Sequence, residues 1–220
     1  MPNLSDICLV FDLDDTLYKE IDYVRSGIAA VLSELDRLGF SVENKRVLSE
    51  QELRSGRAID LVISKLNVPP AMQEALIWVY RLHHPQIGLD DTAKEIMHWA
   101  EAFCGGVAII TDGRSFSQRQ KLHALGLGHL PAFISAEVGA TKPDQSAFLA
   151  VQNQWPNKFY VYVADNPAKD FIAPRNLGWP SFGILDDGRN SHAQNLKTAP
   201  AQPTKWLHSL AELPDALNGL

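Results

Sequence analysis

Five short runs along the chain are almost unbroken in apolar residues and rich in β-branched or aromatic types: Ile7–Phe11, Val107–Thr111, Ala132–Ser135, Phe159–Ala164 and Ser181–Leu185. Continuous apolar runs, in place of alternating apolar and polar positions, mark strands covered on both faces. Between most of them the apolar spacing is helical, with Ser115–Leu125 stopping at Gly126 and Ser146–Gln154 stopping at Trp155-Pro156. This alternation predicts an α/β fold built on a doubly wound parallel sheet.

One connection is too long for a single crossover, because about ninety residues separate the first run from the second. Its pattern is helical: Asp22–Leu38 ends at Gly39, Ser49–Leu66 is amphipathic, and Pro70–Leu82 opens on prolines suited to a first turn. The expected division is a core of residues 1–17 and 85–220, with a small helical cap of residues 18–84 inserted into it. The core resumes near His84-Pro85, followed by a helix that Asp90-Asp91 or Thr92 caps and that runs to about Phe103. A Pro- and Ala-rich loop is expected around Thr198–Pro203.

Composition narrows the class. A chain of 220 residues with 45% apolar content buries one full core and a smaller unit. The net charge of -6 and pI near 5.6 offer no basic stripe for nucleic acid. No apolar run approaches the roughly 20 residues of a membrane span. The first fifteen residues lack Lys and Arg and contain Asp6, unlike a secretory leader, so a cytoplasmic protein is expected. Cys8 and Cys104 sit in apolar stretches and are expected as reduced thiols.

The candidate chemistry stands at the ends of the apolar runs. Asp12 and Asp14 follow the first run, two residues apart, so an extended backbone turns both carboxylates to one side, roughly 6 to 7 Å apart at Cα. Repulsion between them separates their proton affinities, which lets one stay ionised while the other holds a proton. The second run ends in Thr111-Asp112-Gly113, a hydroxyl and a turn of N–H groups suited to phosphate oxygens. Lys142-Pro143 follows the third run, with Pro143 expected to open a helix, and Asp165 with Asp170 follows the fourth. All lie at carboxyl ends of strands, where open α/β sheets bind ligands.

In the order and spacing of these four motifs the chain resembles the haloacid dehalogenase-like (HAD) hydrolase superfamily. The resemblance implies Asp12 as nucleophile, Asp14 as acid and base, Thr111 as a phosphoryl contact and Lys142 as the neutralising charge beside the nucleophile. It implies Mg²⁺ held by Asp12, Asp165 and a carbonyl at Asp14, with Asp170 ligating it or steadying Lys142 or the metal's water shell. Two positions depart from the usual pattern: Asp112 stands where Asn is common, so its backbone N–H is expected to bind, and Ala164 replaces a Gly. The expected activity is phosphatase action on a small phosphomonoester, a sugar phosphate or nucleoside monophosphate. Halide release needs no proton donor, so Asp14 argues against a dehalogenase, and the resemblance implies that dehalogenases lack that residue. A phosphomutase or a phospho-accepting switch protein is the alternative.

Other polar residues carry two readings. Arg114 follows the phosphate turn and either reaches a substrate anion or makes a surface ion pair. Arg25, Arg54, Arg57 and Arg81 are cap cations that could face the cleft, and the sequence does not choose among them. Asp15 is expected to be solvated or turn-forming, His83-His84 a surface pair or hinge, Asp186-Asp187-Gly188 a turn, and Trp78 with Tyr80 cap packing.

Overall fold

A computed structural model of the chain describes residues 2–42 and 47–220. Met1 of the expected core segment and residues 43–46 of the expected cap lie outside the described residues. The strands are β1 (Ile7–Phe11), β2 (Gly106–Thr111), β3 (Ala132–Ile134), β4 (Phe159–Ala164), β5 (Ser181–Ile184) and β6 (Lys205–Leu207). They form one sheet in the order β3-β2-β1-β4-β5-β6, every pair parallel. From β1 the chain builds outward through β2 and β3, then returns to place β4 on the other side. The crevice at the β1/β4 boundary is therefore the topological switch point, where a ligand site belongs.

Alternating positions of the strands serve two apolar layers. Leu9, Phe11, Ile109, Val161 and Val163 face one side; Cys8, Val10, Ile110 and Tyr162 face the other. The first layer packs on α5 (Asp91–Phe103) and α6 (Ser115–Ala124), and the second on α8 (Ser146–Gln154), after the short α7 (Ser135–Val138). Phe148 of α8 is fully buried between Tyr162 and Trp179, at centroid distances of 5.0 and 5.4 Å. Truncating such a side chain to alanine costs about 3–5 kcal/mol. Two short helices, α9 (Ile172–Asn176) and α10 (Leu213–Leu217), complete the core.

The long insertion carries α1 (Glu20–Arg37), α2 (Glu50–Leu53), α3 (Ala58–Lys65) and α4 (Gln73–Leu82), which share a cluster of Ile28, Val31, Leu35, Val62 and Leu76. The expected single helix Ser49–Leu66 is two: Ser49 starts α2 with a capping box, and Gly56 at φ 69° breaks the run. Asp90, not Asp91 or Thr92, caps α5, accepting from the Ala93 N–H at 2.7 Å. Pro143 does not open a helix either; it lies in a turn closed by the Asp144 N–H on Thr141 O, and α8 begins at Ser146. Among the described residues no helix is long and apolar enough to cross a membrane.

Candidate active site

Asp12 leaves β1 just past its last sheet position, and its own N–H bonds Val163 O at 2.8 Å, so the neighbouring strand fixes where the carboxylate emerges. Asp165, past β4, and Asp170, five residues on, bring their carboxylates to the same point. Ligand oxygens of Asp12, Asp165 and Asp170 lie within 4.8 Å of one another, and all three residues are buried. Lys142 arrives from beyond β3 with Nζ 2.6 Å from Asp12 Oδ1, 2.8 Å from Asp170 Oδ1 and 3.1 Å from the Tyr162 hydroxyl. Asp170 Oδ1 faces that ammonium as an ion pair without hydrogen-bond alignment, while its Oδ2 accepts from the Asn166 N–H at 2.9 Å.

Three carboxylates against one ammonium leave a surplus of negative charge. Burial, together with the charge of Asp170, outweighs Lys142 at Asp12 and lifts that carboxyl to about 7. Burial and the neighbouring charges of Asp12, Asp170 and Asp15 push Asp165 up to about 9. Lys142 stays charged, because the pull of Asp12 and Asp170 exceeds the cost of its burial. An all-carboxylate, hard-oxygen donor set crowded in this way fits a divalent cation such as Mg²⁺.

Asp14 stands outside this cluster. Its carboxylate accepts from Lys121 Nζ at 2.7 Å, Gln118 Nε2 at 3.0 Å and the Tyr18 hydroxyl. Burial raises its proton affinity, but the Lys121 charge and these hydrogen bonds prevail and hold it below the ordinary range. The raised member of the Asp12/Asp14 pair is thus Asp12, the reverse of what mutual repulsion with a protonated Asp14 suggests, because burial and Asp170 outweigh Lys142 at Asp12, whereas Lys121 and three hydrogen bonds outweigh burial at Asp14.

Thr111 is buried at the end of β2, its Oγ1 accepting from Gln118 Nε2 at 2.5 Å, so its hydroxyl proton is left to point elsewhere. The Asp112 carboxylate is drawn aside by the Lys142 N–H at 3.1 Å and by Lys169 Nζ at 2.6 Å. Gly113, at φ 146°, passes under Gln118, where a Cβ would come within 3.0 Å of that side chain; its N–H bonds Ser135 Oγ at 2.9 Å. Arg114 is exposed and caps α6 without a side-chain bond.

A cavity of about 430 Å³ opens above these turns against the inserted helices. Asp14, Asp112, Gly113, Arg114 and Lys121 line its core side; Tyr23, Arg57, Ile59, Tyr80 and Arg81 line its cap side. Of the four cap cations, then, Arg57 and Arg81 face the cleft, whereas Arg25 pairs with Asp22 and Glu50, and Arg54 bonds the carbonyls of Gly188 and Asn190. His83 is buried beside Tyr23 and Tyr80, Trp78 is half exposed, and Asp15 is buried in a left-handed turn, where it accepts from the N–H groups of Glu20 and Ser191. Asp186 holds its turn by accepting from three successive N–H groups, those of Gly188, Arg189 and Asn190.

Sequence reasoning missed Gln118, Lys121, Tyr162 and Asn190. Gln118 and Lys121 share one face of α6 with Leu122 and Leu125, the i, i+3, i+4, i+7 positions of a buried stripe, and that placement was the available signal. Tyr162 is a hydroxyl in a central strand, which demands a buried partner. Asn190 Nδ2 donates to Asp165 Oδ2 at 2.9 Å from a loop with no pattern of its own.

A parallel sheet with acids gathered at its switch point defines an α/β protein with a strand-end ligand site. Within that class, the family model of haloacid dehalogenase-like hydrolases matches residues 8–178, and the chain belongs to that family. Similar folds include YfnB of Bacillus subtilis, described as a HAD-hydrolase bound to magnesium, at 19% identity and TM-score 0.69, covering 96% of this chain and 98% of that one. A 2-haloacid dehalogenase of Pseudomonas syringae pv. tomato is 20% identical with TM-score 0.64, covering 97% and 99%. A predicted phosphoglycolate phosphatase of Haemophilus somnus is 17% identical with TM-score 0.64, covering 96% and 97%. Comparison with curated proteins finds no match.

Proposed function

We propose that this hydrolase is a Mg²⁺-dependent phosphatase that cleaves a small phosphomonoester through an aspartyl-phosphate on Asp12, beneath a cap of residues 18–84. The observation that carries this reading is the crowding of Asp12, Asp165 and Asp170 around a single lysine. Three carboxylates held by one lysine leave a surplus of negative charge that a divalent cation would neutralise, giving a phosphate dianion a site it can enter.

Mg²⁺ bound by Asp12 and Asp165, with Asp170 beside them, would neutralise the cluster and lower the proton affinity of Asp12. Lys142 orients the Asp12 carboxylate, which attacks phosphorus as the bond to the leaving oxygen breaks. Thr111 donates its free hydroxyl proton to a phosphoryl oxygen, and the Asp112 N–H contributes a second donor. An arriving dianion raises the proton affinity of Asp14 at the cavity wall, so Asp14 takes up a proton from solvent and passes it to the leaving alkoxide. In the second half-reaction Asp14 takes a proton from water, the water oxygen bonds phosphorus, and the Asp12–phosphorus bond breaks. The cavity suits a small organic group, in the size range of metabolite pockets.

Phosphate release across a panel of sugar phosphates, carboxylated phosphoesters and nucleoside monophosphates tests the reading, with 2-haloacids alongside. Release that requires Mg²⁺ and matches substrate loss one for one is expected. Halide release would make the protein a dehalogenase, and isomerised phosphoester would make it a mutase.

A further inference from the structure

The loop after β5 joins two parts of the molecule. At one end it grips Asp165: Asn190 Nδ2 donates to the carboxylate at 2.9 Å, and Gln194 Nε2 donates to the Asp165 carbonyl at 2.8 Å. Asn190 is buried, and its Oδ1 accepts from Lys19 Nζ at 2.8 Å. A lysine only donates, so the oxygen must face Lys19 and the amide N–H must face the carboxylate. At its other end the loop grips the inserted helices. Arg189 Nη2 reaches both oxygens of Asp22 in α1 at 2.8 and 2.9 Å, and Arg54, which ends α2, donates to the carbonyls of Gly188 and Asn190 at 2.9 and 3.3 Å.

Burying an amide is costly unless it is fully bonded, and here both ends are bonded to charged groups. The N–H side meets a carboxylate already crowded by Asp12 and Asp170, where it holds one oxygen of Asp165 and fixes the direction of the other. The same backbone that carries Asn190 is tied within two residues to α1 and α2. A displacement of those helices therefore moves Asn190 relative to Asp165.

We propose that Asn190 is a positioning residue for Asp165, and that the 186–194 loop couples the position of the inserted helices to the geometry of the carboxylate cluster. This rests on Asp165 being a metal carboxylate, and it adds a contact between cap and metal site that the strand-end motifs do not contain. Partners of metal ligands typically govern metal affinity by 10–100-fold.

The test is calorimetric titration of the intact protein with Mg²⁺ alone, without substrate. Asn190→Ala should bind Mg²⁺ roughly 10–100-fold more weakly than the parent. Arg189→Ala, which touches no carboxylate of the cluster, should weaken Mg²⁺ by at least about fivefold. Should Asn190→Ala fail to fold, Lys19→Met leaves the amide in place but releases its orientation, and a smaller loss in the same direction is expected. Mg²⁺ affinity within twofold of the parent in Asn190→Ala, or in Lys19→Met where that stands in, overturns the positioning role. Unchanged affinity in Arg189→Ala overturns the coupling. A parent that binds no Mg²⁺ removes the metal reading itself, and both proposals fall with it.

Discussion

Lys121, buried on α6, sets its ammonium 2.7 Å from the Asp14 carboxylate while lying 4.3 Å from the centroid of the Tyr23 ring, a residue of the inserted α1. One lysine thus touches the candidate acid and the cap at once. Removing its charge in Lys121→Met should let burial dominate at Asp14 and raise that carboxyl. If Asp14 serves as base in the second half-reaction, the acidic limb of the kcat–pH profile moves upward. A profile that keeps its limb, with kcat near the parent value, would detach Asp14 from proton transfer.

Stability in the absence of metal should fall as pH rises. Asp12, lifted to about 7, and Asp165, lifted to about 9, bind protons more tightly in the folded chain than in the unfolded one, where carboxylates titrate near 4. Their contribution is fully present below the unfolded value and is lost as pH climbs through 7 and then 9. Thermal unfolding in chelator should therefore show Tm declining from about pH 5 to pH 9, and added Mg²⁺ should raise Tm more at pH 8.5 than at pH 5.5. A Mg²⁺ effect equal at both pH values would contradict the crowded-carboxylate account.

Asp112 places a negative charge beside the phosphate turn, and Lys169 at 2.6 Å neutralises it. Lys169→Met should therefore raise KM about tenfold, since an unpaired carboxylate near an incoming dianion is repulsive at an effective dielectric of about 20. Adding Asp112→Asn to that variant should recover most of the loss. Two losses that merely add would show that Lys169 acts independently of Asp112.

The sheet was legible because its central strands are buried on both faces and so leave nearly unbroken apolar runs, as at Ile7–Phe11 and Val107–Thr111. The sixth, Lys205–Leu207, is an edge strand as short as β3, but its exposed lysine breaks the apolar run that made β3 legible. Asp12, Lys142, Asp165 and Asp170 were visible because a strand end is a place where one charged residue stands out against an apolar background. Lys121 and Gln118 sit on a helix whose inward stripe mixes them with Leu122, so the usual contrast between faces was weak. Asn190 was hidden because its position depends on a turn built by Asp186 and on contacts with Lys19, more than 170 residues away in the chain. Asp14 was placed by spacing alone, and its protonation followed from Lys121, which spacing does not reveal.

The central claim is that Asp12 becomes covalently phosphorylated, and Asp14→Asn gives the most direct view of it. That amide neither protonates a poor leaving group nor activates water, so alkyl phosphates should slow by roughly 10² to 10⁴. An aryl phosphate with a good leaving group needs little protonation, so its first step should survive and release a burst of phenol about equal to the enzyme present. Acid-quenched mass spectrometry of that mutant, taken just after the burst, should find one phosphoryl group on the peptide carrying Asp12, and none when Asp12→Asn is added. Full phenol turnover without a burst, or a phosphoryl group on any other residue, would contradict the account.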